Sequence, residues 1–228
     1  MKPNDVIEGT PVVAKQAAVG TPFTATAKQM LGPAADELAE MWKDQVRTYR
    51  YERQRECVEK AEGMVQEAGF TPQAVPLKVL FPLLEGASLE ENEALHTMWA
   101  ALLANAVSPD NLEKVRTGFV ATLKTLSWDE VLLLNWIYDR VLEVEMPFSE
   151  TFTHTELLNA YATVGRLSLP PAGKIEDAFS FETCLDGLDA ARLIDRVGVP
   201  PEREARDYVI GHLGFQFVSV CRPPKPKS

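Results

Sequence analysis

The chain has 228 residues, 46% hydrophobic and 25% charged, with a formal net charge of -10. That length and balance are those of a soluble globular protein able to bury a hydrophobic core, as one large or two small domains. So acidic a surface repels nucleic acid and anionic membrane on average, and contact with either would need a local basic patch.

In chain order, residues 1 to about 20 carry Pro3, Gly9, Pro11 and Gly20 and read as a frayed or docked arm. Thr21 to Met30 is alanine-rich and predicts a short helical lead-in. Leu31-Gly32-Pro33 then reads as the start of the longest helix, because proline suits a first turn where its missing N–H would be unpaired anyway. Asp36, Glu37 and Glu40 place negative charge at the positive end of the helix dipole. Leu38, Met41, Trp42, Val46 and Tyr49 recur at steps of three and four and form an apolar stripe. Lys43, Arg47 and Arg50 form a basic stripe beside it, read either as a solvated face or as a nucleic-acid contact. The apolar stripe shifts across Arg50 to Glu56, which predicts a bend or a change of packing partner, and Gly69 with Pro72 marks the end.

Val75 to Leu84 is a dense apolar run with two prolines and predicts a short buried helix, kinked or interrupted at Pro82. Ser88-Leu89-Glu90-Glu91 has capping-box spacing and predicts the start of a helix carrying Leu95, Met98, Trp99, Leu102 and Leu103. A helix from about Val115 through Leu126 follows. Ser127-Trp128-Asp129-Glu130 repeats the box ahead of Val131 to Tyr138, a run apolar nearly all round and therefore expected at the centre. Thr153-His154-Thr155-Glu156 caps another helix, and Arg166 to Gly173 is the most loop-like stretch. A helix near Phe181 to Ala190 leads to two short β-type runs, Leu193 to Val197 and Tyr208 to Ile210, which predict a small hairpin. Gly214 to Cys221 suits either a last strand or a closing helix, and Arg222 to Ser228 is a basic, proline-rich tail expected to be disordered. The expected fold is therefore mainly α. It divides into an arm (1–30), a helical domain (31–145), a C-terminal region with a short β-hairpin (146–221) and the tail (222–228).

Leu31 to Leu38, Val75 to Leu80, Glu85 to Glu90, Met98 to Ala106 and Phe119 to Ser127 together resemble the Abi-alpha family. These are bacterial proteins linked by name to abortive infection and formerly carried as a domain of unknown function. The C-terminal third is similar to a winged helix, through Leu185-x-x-Leu188-x-x-Ala191-Arg192-Leu193-Ile194 and through Tyr208 to Gly214. Arg192 departs from that pattern, since a glycine often stands before the Leu-Ile pair. Glu182, Asp186 and Asp189 depart from it too, because they would face phosphate if their helix entered a major groove. The family resemblance implies a role in phage defence and brings no catalytic residue, cofactor or substrate.

The residues themselves point to no chemistry either. His96, His154 and His212 are far apart, and Cys57, Cys184 and Cys221 form no CxxC pair. Phosphate-binding, nucleophile-elbow and dinucleotide signatures are missing from the sequence. The expectation is a non-enzymatic cytoplasmic protein with no cofactor or metal and no stable membrane insertion. It would act through a protein partner or self-association. The alternative is a DNA-binding regulator that uses the winged-helix-like region. The candidate contacts for partner or DNA are Lys43, Arg47, Arg50, Arg192, Arg196, Arg203 and Arg206.

Overall fold

The computed structural model describes residues 24–34, 48–111, 114–144, 147–164, 175–197 and 207–226. Among these residues the chain is mainly helical, with nine α-helices and one small antiparallel sheet, as its patterning predicts. Helix α1 (Ala25–Leu31) is the alanine-rich lead-in, capped by Thr24, whose hydroxyl accepts from the Ala27 N–H. Gly32 ends it with φ of +57° and lies so close to Ala74 that a Cβ there would meet that side chain at 2.6 Å. Of the predicted long helix, Leu31 instead ends α1, residues 35–47 lie outside the described residues, and Thr48–Ala68 forms α2. Gly69, at φ +72°, closes α2 as expected.

Helix α2 is unbroken across Arg50 to Glu56, where the apolar stripe shifts. The shift marks a set of polar side chains that reach across to other elements. Arg50 meets Ser88 and Gln54 meets the Leu84 carbonyl, so α3 (Leu77–Ala87) runs back along α2. Arg53 reaches Glu90 and Glu93, and Lys60 reaches Glu93 and His96, so α4 (Glu93–Ala106) advances in the same direction as α2. Helix α3 continues through Pro82 without interruption. A proline inside a helix costs about 3 kcal/mol, and the burial of Val79, Leu80, Leu83 and Leu84 offsets it.

One cap is corrected. Helix α4 starts at Asn92, whose side chain accepts from the Ala94 and Leu95 N–H groups, and not at Ser88. Ser88 instead caps the end of α3, where its hydroxyl donates to the Glu85 carbonyl and accepts from Arg50. Asn92 stands immediately before the helix and is as strong a cap as serine, so the box spacing at Ser88 loses to it. Helix α4 is buried along almost its whole length, and the Trp99 ring packs on Gly86, where a Cβ would lie 2.4 Å from it.

Helix α5 (Thr117–Thr125) covers α3, and α6 (Trp128–Val141) begins at Ser127 with the predicted capping box in place. As its sequence implies, α6 is central, packing against α7 (His154–Val164), α8 (Ile175–Ala190) and α9 (His212–Val220). The box at Thr153 and Glu156 is also present, although residues Phe152–Thr153 additionally form strand β1, which the sequence reading missed. Strands β2 (Ile194–Val197) and β3 (Asp207–Ile210) make the expected antiparallel pair, with Ile194 opposite Ile210, and β3 sits between the other two. Gly214 to Cys221 resolves as helix α9, one of the two forms its sequence allows, and Arg222 just after it bonds to Asn135 and Asp139 of α6.

The buried apolar side chains form one cluster, running from Ala27 in α1 to Cys221 after α9. Phe119 of α5 meets Phe217 of α9 edge to face at 5.8 Å, one of the contacts that joins the helical layer to the C-terminal region.

Candidate functional site

Of the seven predicted contact residues, Lys43, Arg47, Arg203 and Arg206 lie outside the described residues. The other three are not brought together, and two of them are committed to structure. Arg50 donates to Ser88 at 3.1 Å and ties α2 to the end of α3. Arg196 on β2 pairs with Asp186 and with Asp189, the latter at 3.0 Å, on the exposed side of α8. Its charge is therefore spent on the acidic helix face that the sequence flagged as hostile to phosphate. Arg192 is exposed and has no side-chain partner among the described residues.

Arg192 is also the only non-glycine residue with positive φ among the described residues, at +57°. It ends α8 in a Schellman turn, with Leu193 N–H on the Leu188 carbonyl and Arg192 N–H on the Asp189 carbonyl, both 2.9 Å. Glycine is the usual residue at that position because it has no Cβ to strain. The missing glycine noted in the sequence is thus a matter of backbone conformation.

Two polar networks account for other titratable groups. Arg53, only 6% exposed, donates to the Glu90 carbonyl from two nitrogens and pairs with Glu56 and Glu93. His96 is fully buried between the Arg53 carbonyl at 3.0 Å and the Lys60 ammonium at 3.1 Å. An ammonium can only donate, so Nδ1 of His96 accepts and Nε2–H donates to the carbonyl, which requires a neutral ring. Burial holds its pKa below the usual value, and the neighbouring cations act in the same direction. Hydrogen bonds from Lys60 and Arg53 pull the Glu93 carboxyl down to about 2. His154 pairs with Glu182 at 2.6 Å, fastening α7 to α8. The cysteines are buried, and desolvation pushes the Cys57 and Cys184 thiols up to about 12 and Cys221 up as well, which leaves them poor nucleophiles. No group of three or more His, Cys, Asp or Glu among the described residues could hold a metal ion. No helix among them is long and apolar enough to cross a membrane.

The sequence did not single out the cleft along the open face of α9. Rings from three segments line up there: Tyr138 lies 4.9 Å from Phe215, Phe215 lies 5.3 Å from Phe148, and Phe148 lies 4.1 Å from His212. Arg222 covers Tyr138 at 4.6 Å and is held by Asn135 and Asp139. Asn105 fixes that end of the chain by donating to the carbonyls of Val220 and Arg222. His212, Phe215 and Ser219 recur at helical spacing, but Lys114, Tyr138 and Phe148 come from elsewhere, so no local pattern could have gathered them.

The Abi_alpha family model, Abortive infection alpha, matches residues 46–208. The chain belongs to the Abi-alpha family. The Abi-alpha match begins after the Leu31 to Leu38 block and runs as far as β3, so α1 and α9, which complete the core, lie outside it. No curated protein and no solved structure matches the chain.

Proposed function

We propose that this Abi-alpha protein is a non-enzymatic interaction protein of bacterial phage defence, acting through contact with a protein partner or a second copy of itself. Family membership is the observation that carries this reading. The engagement of Arg53, Lys60 and His96 with one another, and the raised thiol pKa values, favour binding over catalysis. The test is expression in a bacterial host challenged with a broad phage panel. Protection accompanied by dose-dependent collapse of infected cultures is expected, and the absence of both overturns the proposal.

Residues 128 to 210 follow a helix, strand, helix, helix, strand, strand order with sheet order β1-β3-β2, which supports a winged-helix-like reading of this region. We assign it a scaffold role. Arg196 is paired with Asp186 and Asp189, and Glu182 lies on the same helix, so α8 offers phosphate an acidic surface. Titration of fluorescent duplex DNA at several salt concentrations tests this assignment. Binding at micromolar concentration or tighter, weakening log-linearly with salt, would replace the scaffold with a DNA reader.

A further inference from the structure

The cleft on α9 contains a cavity of about 620 Å³ whose chemistry runs against that of the whole molecule. On a chain of net charge -10, the described residues lining this cavity include Lys114 and Arg116 and no carboxylate. Arg116 is exposed and has no partner among the described residues, whereas Lys114 donates to Asn111 at 2.8 Å and keeps two further N–H groups. No side chain caps the start of α5 at Arg116, and a Cβ on Gly118 in that first turn would meet nothing within 4 Å. The start of α5 therefore adds partial positive charge in open space beside the two cations. Across the cavity stand Phe148, 43% exposed, and His212, their rings 4.1 Å apart. Gln216 and Ser219 add polar groups along α9.

From this juxtaposition we infer that the cavity between the start of α5 and the open face of α9 binds a small anion of the nucleotide class, a planar base carrying phosphates. The phosphates would lie on Lys114 and Arg116, the base against Phe148 and His212, and the Gln216 amide would meet a base edge or ribose. The volume falls within the range of about 300–1,000 Å³ typical of small-ligand sites. Aromatic faces beside cations are the combination that nucleic-acid components require. The overall negative charge disfavours a long polyanion, which would extend past the local patch, and so favours a short ligand over a strand.

The experiment is calorimetric titration of the full chain with ATP, GTP, adenosine, inorganic tripolyphosphate, a fifteen-residue oligothymidylate and an acidic phenylalanine-containing peptide. One-site binding of ATP or GTP is expected, at least tenfold tighter than adenosine and tripolyphosphate. Arg116→Glu and Phe148→Ser, both at exposed positions, should each weaken it at least fivefold, while Lys28→Glu on α1 leaves it unchanged. The inference is overturned if neither nucleotide binds at millimolar concentration, or if tripolyphosphate comes within tenfold of the nucleotides and so reveals an anion patch only. It is also overturned if the oligonucleotide or the peptide binds more tightly than both nucleotides, or if the two cavity variants bind as the parent does. None of these outcomes depends on the defence role, because each is read with purified protein.

Discussion

The α2–α4 interface and the α8–α9 joint belong to one core but are held by different means. Between α2 and α4 the specific contacts are made by polar side chains: Arg53 to Glu93 and the Glu90 carbonyl, Lys60 to Glu93, and His96 to both Lys60 and the Arg53 carbonyl. At the α8–α9 joint they are made by backbone. The Leu193 carbonyl accepts from the Gly211 N–H at 3.0 Å, and Gly214 packs so close that a Cβ would lie 2.0 Å from the same oxygen. A side-chain network tolerates adjustment and responds to pH, whereas a backbone joint does neither. The two should therefore break differently.

The largest effect is expected at the backbone joint. Gly214→Ala places a methyl group against a carbonyl that cannot rotate away, so α9 or β2 must shift. A loss of about 3 kcal/mol follows, at the upper end of overpacking costs, read as a lowered urea midpoint. Because the groups brought into conflict are a methyl and the Leu193 backbone, the dependence of stability on pH should keep its shape. A variant that lost less than about 1 kcal/mol would show that the joint yields.

Next comes Arg53→Met on the other side of the comparison. It keeps much of the buried stem but leaves the Glu90 carbonyl without its donors and Glu93 with Lys60 alone. A loss of about 2 kcal/mol is expected, that of a buried polar group deprived of its partner. Glu93 should also titrate nearer its ordinary value of 4.5. Carbon-detected NMR titration of its carboxyl would show this as a rise from about 2.

These contacts differ in how far the sequence reveals them. Ser127 with Glu130 and Thr153 with Glu156 act over three residues, and both capping boxes were legible because the chemistry and the spacing lie in one short window. The same spacing at Ser88 misled because Asn92, four residues on, competes for the same role and wins. Strand β1 escaped because two residues carry no periodicity and also begin a helix. His96 meets the Arg53 carbonyl across 43 positions, a pairing defined only once two helices are packed in register. The α9 cavity is further from view still, since Lys114, Phe148 and His212 converge only through the tertiary fold. Helices and most of their caps are local events. The polar network and the candidate site are not.

A smaller effect separates the two regions by pH. His96 has a native pKa below its ordinary 6.5, so between that value and the depressed one the unfolded chain binds a proton that the native chain does not. Stability therefore falls as pH drops through this window. Glu93 adds a second loss of the same sign, as pH falls from 4.5 toward about 2. His96→Gln should flatten the upper window in a series of urea midpoints and leave the lower one in place. If the parent's midpoint did not fall below pH 6.5, the neutral, buried ring inferred for His96 would be wrong.

The smallest expected change has the opposite sign. Arg192 occupies a left-handed conformation that costs a side-chain-bearing residue about 1–2 kcal/mol, whereas Gly enters it freely but gains entropy in the unfolded chain. Arg192→Gly should therefore stabilise the protein by about 0.5–1 kcal/mol, read as a raised urea midpoint. The same change removes an exposed guanidinium with no partner among the described residues. Arg192→Gln separates the two effects, because glutamine removes the charge but keeps the strain of a long side chain in that conformation. If phage protection falls in both variants while stability holds or rises, Arg192 is kept for contact with a partner, at the expense of the turn that holds it. If protection is unchanged in both, the strain serves no interaction. The α8–α9 joint would then be purely a structural device, in contrast to the pH-responsive α2–α4 interface.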